Sequence, residues 1–269
     1  MGVRHVRSAH SGWFFGAVVP RLSLIVIARN EEASIGRCLR SASFAYEMVV
    51  VDNQSTDKTA EIARALGAKV IQAADWPGFG PQKNRALDAA TGDWVLSLDA
   101  DEWIERPLAD AIKAAIADPN AAVGFAMPRR SRFCGQVVRH CGWWPDYVTR
   151  LWRRGNGRFA DVPVHERVIV EGKVARLKEP IEHDAIADFD DARDKAVRYA
   201  KAAAAEMAIQ GKHSSRGKAI VRAAGAFLRT YIWRAGFLDG ATGWHVARYN
   251  TDYTFQKWAR LAEHNAQKK

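Results

Sequence analysis

Apolar residues run almost without interruption over 22–28 (Leu-Ser-Leu-Ile-Val-Ile-Ala). A run of this length without polar alternation predicts a strand covered on both faces, as in a parallel sheet. After Asn30 the spacing becomes helical: Glu31 and Glu32 fall in a first turn, and Ile35, Cys38 and Leu39 share one side. The pattern repeats with a strand over 47–51, a polar cluster over 52–57, and a helix over 59–66 closed by Gly67. A short strand over 69–71, a Pro- and Gly-containing loop over 75–81, a helix over 82–90 and a strand over 94–98 follow. Such alternation implies right-handed crossovers and an α/β, doubly wound, mostly parallel sheet.

Beyond residue 124 the alternation is lost. Short β-like pieces over 125–128, 147–152, 168–170 and 174–177 predict a mixed-sheet half. After Asp188 the chain turns helical, first Ala-rich and then basic. The organisation read from this is a leader over 1–20, a catalytic domain over 21–187 with halves at 21–105 and 106–187, and a helical extension over 188–269.

Charge changes the picture next. Forty Lys and Arg against 30 Asp and Glu leave a formal charge of +10, which suits a phosphorylated substrate, an anionic membrane or nucleic acid. Cys38, Cys134 and Cys141 contain no Cys-x-x-Cys pair, so neither a disulfide framework nor a zinc site is expected, and a reducing, cytoplasmic location follows. Arg4 and Arg7 precede an apolar run over 13–19 that is too short and too aromatic for a signal sequence.

In doubly wound sheets ligands bind beyond the carboxyl ends of the strands. Three polar clusters belong there: Arg29-Asn30-Glu31, the segment 52–57, and Asp99-Ala100-Asp101-Glu102. The hard carboxylate oxygens of Asp99 and Asp101 suit Mg²⁺ or Mn²⁺, ions that keep waters and take substrate phosphates as further ligands. An Asp-x-Asp turn by itself also serves as a helix cap. Its place in register with the two earlier clusters is what gives it weight.

With these loops in place, the chain resembles the inverting family 2 glycosyltransferases of GT-A fold, and among them bacterial lipopolysaccharide core glycosyltransferases that use UDP-glucose. The resemblance is carried by 25–32 (Ile-Val-Ile-Ala-Arg-Asn-Glu-Glu), 50–59, 80–87, 93–102 and 163–166 (Pro-Val-His-Glu). It implies a nucleotide-sugar half over 21–105, an acceptor half over 106–187, a UDP-sugar donor with glucose as its sugar, and a saccharide or glycolipid acceptor, specifically the lipopolysaccharide inner core. It also implies inversion at the anomeric carbon. Asp52 then contacts the nucleoside, with Arg29, Asn30, Glu31 and Ser55 beside it. Lys83 and Asn84, expected at the start of the third helix, face phosphate or donor sugar. Asp99 and Asp101 hold the metal and the diphosphate, with His183 returning as a further metal ligand. An inverting transfer needs a base for the acceptor hydroxyl; Glu166, after His165 on the acceptor side, is the first candidate and Asp146 its rival. Trp143 and Trp144 offer flat faces to the acceptor.

No acid stands between Glu206 and Asp239, whereas Lys212, Arg216, Lys218, Arg222, Arg229 and Arg234 do. On a helix Ile220, Ala224, Phe227 and Tyr231 fall on one face and Lys218, Arg222 and Arg229 opposite. That arrangement predicts contact with an anionic membrane surface, on the cytoplasmic face of the inner membrane, rather than with nucleic acid. Two other classes compete. A sugar-phosphate nucleotidyltransferase would carry a Gly- and Arg-rich first loop, where this chain has Arg29-Asn30-Glu31. A non-enzymatic basic protein that binds membrane or nucleic acid would leave the strand-end acids without a role.

Overall fold

The computed structural model describes residues 20–160 and 167–267. Nearly all of the expected leader, and both His165 and Glu166, lie outside them. The first half is built from β1 (Leu22–Ala28), α1 (Ile35–Ser41), β2 (Glu47–Asp52), α2 (Thr59–Ala65), β3 (Lys69–Gln72), α3 (Phe79–Asp88) and β4 (Trp94–Asp99). Its strands pair in parallel in the order β3-β2-β1-β4, with Ile25 opposite Val49 and Ser97. Alternate residues of β1 feed two cores. Leu24 and Val26 pack with Ile35, Cys38 and Leu39 on one face, while Ile25 packs with Val49, Ala86 and Leu87 on the other. Burial on both faces is the reason the strand is apolar throughout.

Two helix starts differ from expectation. α1 begins at Ile35 because Glu31 C=O first accepts the N–H groups of Ser34 and Ile35, forming a turn that precedes the helix. α3 begins at Phe79, three residues early, since Pro81 sits in a first turn where a missing N–H costs nothing. Lys83 and Asn84 therefore occupy the middle of α3 and not its N-terminus.

The second half adds β5 (Glu102–Ile104), α4 (Arg106–Ala117), β6 (Gly124–Phe133), β7 (Gln136–Val137), β8 (Asp146–Arg153), β9 (Gly157–Phe159), β10 (Val168–Val170), β11 (Val174–Arg176) and β12 (Ile181–Ile186). Antiparallel β8 joins β4, and the sheet continues β8-β6-β12-β5, in which β6 runs antiparallel to β8 but parallel to β12 and to β11. Pairing of β12 with β5 sets His183 opposite Glu102. This register returns a residue 82 positions away in sequence to the Asp101 loop, where Asp184 N–H also donates to Asp101 C=O at 3.1 Å.

The extension consists of α5 (Phe189–Ile209), α6 (Arg216–Leu228), a π turn (Arg229–Trp233), a 3₁₀ turn (Gly236–Asp239) and α7 (Gly240–Gln267). Asp188 and Ser215 cap α5 and α6 by accepting from Asp191 N–H and Lys218 N–H. Small buried residues let the helices approach α7: Ala196, Ala200 and Ala203 from α5, Ala219 and Ala223 from α6. The extension is fixed to the sheet through a third core in which Phe133, Cys141 and Ile186 meet Ala192 and Val246. All three cysteines are free.

The amphipathic face expected on α6 divides in two. Phe227 and Tyr231 turn inward onto Trp244, at ring-centroid distances of 5.2 and 5.6 Å. Ile220, Val221, Leu228, Ile232 and Trp233 stay exposed, while Lys218 and Arg222 lie over Trp258. Among the described residues no helix is long and apolar enough to cross a membrane.

Candidate active site

The loops after β1 and β2 clasp one another. Asn30, held at φ +56°, donates its N–H to Ser55 Oγ (2.9 Å) and accepts from Thr56 N–H through Oδ1 (2.8 Å). Ser55 Oγ in turn donates to Asp52 Oδ1, and Glu31 N–H donates to Thr59 Oγ1 at 2.7 Å. Asp52 is buried at the carboxyl end of β2. Ser55 thus holds the Asp52 carboxylate as well as bracing the next turn, and an ionised carboxylate so held keeps acceptor sites for ribose hydroxyls or a base N–H.

The acids after β4 divide their roles. Asp99 lies between two cations: Lys83 Nζ is 2.7 Å from Oδ1, and Arg150 takes Oδ2. Burial would raise this carboxyl, but the Arg150 guanidinium and the Lys83 ammonium outweigh it and hold Asp99 well below the usual carboxylate range. Arg150 also reaches buried Glu102 at 2.7 Å, Arg129 stands 3.5 Å from Glu102, and Arg129 Nη2 donates to Asp146 at 2.6 Å. A chain of six alternating charges therefore runs from α3 to the start of β8. Glu102, Arg129 and Arg150 were not singled out from the sequence as site residues. The available signal was Arg150 itself, a cation inside the strand Tyr-Val-Thr-Arg-Leu-Trp, where only a paired charge can be buried.

Asp101 faces differently. His183 Nε2 lies 3.5 Å from Asp101 Oδ2, and its Nδ1 meets Ser131 Oγ at 2.9 Å. In the tautomer that donates Nδ1–H to Ser131, Nε2 presents a lone pair towards a cation, the usual arrangement behind a ligating imidazole. Burial raises the Glu31 carboxyl, and although its Ser34 hydrogen bond opposes this, the Asp101 charge adds to the rise, so negative charge is concentrated here. Among the described residues no three His, Cys, Asp or Glu side chains converge to enclose an ion. Asp101 and His183 fit an ion whose remaining ligands are phosphate oxygens and water, the habit of Mg²⁺ and Mn²⁺. The two oxygens of Asp99 are directed at Lys83 and Arg150.

Other expected residues differ in their contacts. Asn84 spends its amide on the backbone of Phe159, donating to C=O and accepting from N–H at 3.0 Å each. It fixes β9 against α3 just before the segment 161–166. Trp143 is half-buried against Phe133 in the third core, whereas Trp144 and Tyr147 are exposed. Arg29 is exposed at the end of β1.

The family model described as Glycosyl transferase family 2 matches residues 23–172, from β1 through β10. The lipopolysaccharide core biosynthesis glycosyltransferase LpsC of Rhizobium meliloti (strain 1021) is 30% identical over 268 residues, covering 92% of this chain and 97% of its own. An uncharacterized glycosyltransferase of Rickettsia typhi is 29% identical over 263 residues, covering 90% and 86%. Among solved structures, S. aureus TarS 1-349 aligns with 93% of this chain and 92% of its own at 16% identity and a TM-score of 0.46.

Proposed function

The chain belongs to glycosyl transferase family 2, and from that premise we propose that it moves glucose from UDP-glucose to a saccharide of the lipopolysaccharide inner core with inversion. The observation that carries this reading is the meeting of Asp101 and His183 beside the clasped Asp52–Ser55 loop, at the carboxyl ends of β4 and β2. Asp52 accepts from the nucleoside, and Glu31 and Asn30 shape the wall beside it. Asp101 and His183 would hold Mg²⁺ or Mn²⁺, whose charge offsets that developing on the departing diphosphate. Lys83 and Arg150 keep Asp99 ionised and rigid at the rim of the same crevice. Glu166 takes the proton of the attacking hydroxyl, and Trp144 and His165 contact the acceptor saccharide. The likeness to LpsC supports the acceptor class.

The test is a donor-hydrolysis screen over UDP-, GDP- and dTDP-sugars with Mg²⁺ or Mn²⁺. UDP-glucose should turn over, and Asp101→Ala should abolish turnover without lowering the melting temperature. Failure of every donor to bind or react removes the proposal.

A glycolipid acceptor calls for work at a membrane surface, and the exposed row Ile220, Val221, Leu228, Ile232 and Trp233 beside Lys218 and Arg222 supports docking on the anionic cytoplasmic face of the inner membrane. Flotation with phosphatidylglycerol vesicles measures it: binding should weaken with salt and with Ile232→Ser/Trp233→Ser. Equal recovery of that variant with the vesicles would refute the docking face.

A further inference from the structure

The π turn has a geometric effect that an α-helix would not. Its hydrogen bond from Arg234 N–H to Arg229 C=O spans five residues and stacks these two arginines on one face. Across from them α7 contributes Lys257, and the three cations line a half-open cavity of ≈ 270 Å³ together with Cys141, Gly142 and Trp143. A cavity of this size falls just below the range of drug-sized ligand sites, about 300–1,000 Å³, and suits a small group.

No carboxylate lines this cavity, and among the described residues none of the three cations makes an ion pair. The nearby acid Asp239 is committed elsewhere: Oδ1 meets His140 Nδ1 at 2.8 Å and Oδ2 accepts from His140 N–H at 2.8 Å. Burial lowers Lys257, and the charges of Arg229 and Lys212 add to the effect. Arg234 is held in place. Its backbone C=O accepts from Cys141 N–H at 3.0 Å, and its guanidinium fills the space that a Cβ at Gly142 would need, 2.6 Å from that position. Gly142, at φ +81°, is the residue that permits both. Tyr253 and Thr254 add hydroxyl donors to the wall. The thiol of Cys141 is pushed up to about 12 by burial and by Asp239, so it is no nucleophile here.

We propose that this cavity is a binding site for a phosphomonoester, held by Arg229, Arg234 and Lys257, and that the phosphate is one carried by the saccharide acceptor. Two arginines and a lysine around hydroxyl donors form the donor set that recognises three phosphate oxygens. The assignment to the acceptor rests on the transferase reading above. It is supported by Trp143, which lines the cavity and lies three residues before Asp146, the end of the charge chain that begins at Asp99.

The experiment is calorimetric titration of the full chain, with UDP and Mg²⁺ present, by inorganic phosphate, a hexose phosphate and the unphosphorylated hexose. Wild type, Arg229→Gln/Arg234→Gln and Lys257→Gln are compared at matched melting temperature. The hexose phosphate should bind more tightly than inorganic phosphate, the plain hexose should not bind, and the double variant should lose about tenfold or more in affinity. Donor hydrolysis should be unchanged in both variants. Equal phosphate affinity in wild type and both variants overturns the site. Loss of phosphatidylglycerol-vesicle binding in the double variant, with no hexose phosphate binding to wild type, overturns the acceptor assignment in favour of a lipid headgroup. Phosphate binding that depends on the three cations in a protein that hydrolyses no donor upholds the anion site while the transferase reading fails.

Discussion

Lys83 Nζ stands 2.7 Å from Asp99 Oδ1 although Lys83 is itself only 2% exposed. A lysine desolvated to that degree requires a partner of opposite charge, and with Arg150 on the other oxygen Asp99 faces two cations at once. The two acids of the Asp-x-Asp turn therefore differ in kind. Asp99→Asn should lower stability by about 2–4 kcal/mol, below the top of the range for a broken buried pair because Asp99 keeps some solvent contact. Asp101→Asn should leave the melting temperature alone and reduce Mn²⁺ affinity. Chemical denaturation and metal titration of both variants check this, and equal destabilisation by the two would contradict it.

Glu47 predicts a pH effect far from the chemistry. Its Oε1 accepts from Ser23 Oγ (2.6 Å), Thr91 N–H (2.5 Å), Thr91 Oγ1 (2.9 Å) and Gly92 N–H (3.2 Å). Partial burial would raise this carboxyl, but the bonds from Ser23, Thr91 and Gly92 prevail and lower it. A carboxyl lowered in the folded state contributes stability above its unfolded value of about 4.3, and loses it as pH falls through the folded value. Urea midpoints should therefore separate wild type from Glu47→Gln at pH 7 and converge below pH about 4. A constant difference across that window would show that the charge of Glu47 is irrelevant.

The tryptophans of the Trp143-Trp144-Pro145-Asp146 segment separate stability from acceptor use. Trp143 packs on Phe133, with ring centroids 6.3 Å apart, so Trp143→Ala should destabilise by about 2–4 kcal/mol, a little under the value for a fully buried aromatic. Trp144 is 36% exposed. Trp144→Ala should raise the acceptor KM several-fold with donor KM and melting temperature unchanged. Unaltered acceptor kinetics in Trp144→Ala would remove it from the acceptor surface.

What was legible in the sequence follows the same division between apolar burial and paired charge. β1, β2 and β4 are buried on both faces, so Leu24, Ile25 and Val26 announce a strand without help from neighbours. β5 and β12 do not. β5 has three residues, and β12 reads Ile-Glu-His-Asp-Ala-Ile because Glu182 is buried against Arg130 and Arg132, a pairing across strands that no local pattern encodes. The same holds for the site. Strand-end acids could be located from the apolar runs before them, but the commitment of Asp99 to Lys83 and Arg150 depends on α3 and β8 meeting β4. Asn84 was misplaced for a simpler reason: Pro81 looked like the end of a loop and is the first turn of a helix.

The choice of base can be decided by two variants. Arg129 directs both Nε (3.1 Å) and Nη2 (2.6 Å) at Asp146 Oδ2, and Arg129 itself leans on Glu102. Asp146 thereby anchors the end of the charge chain, and an amide there would loosen Arg129 and, behind it, the buried Glu102. Asp146→Asn should lower the melting temperature together with kcat. Glu166→Gln should retain the melting temperature and UDP affinity while transfer falls by about 10²–10⁴-fold, the contribution of a positioned general base. The comparison needs equilibrium binding of UDP beside steady-state transfer, because a fall in kcat alone does not separate a lost base from a displaced donor. If Asp146→Asn keeps its stability and loses transfer by that factor while Glu166→Gln turns over normally, the proton goes to Asp146 and the roles are exchanged.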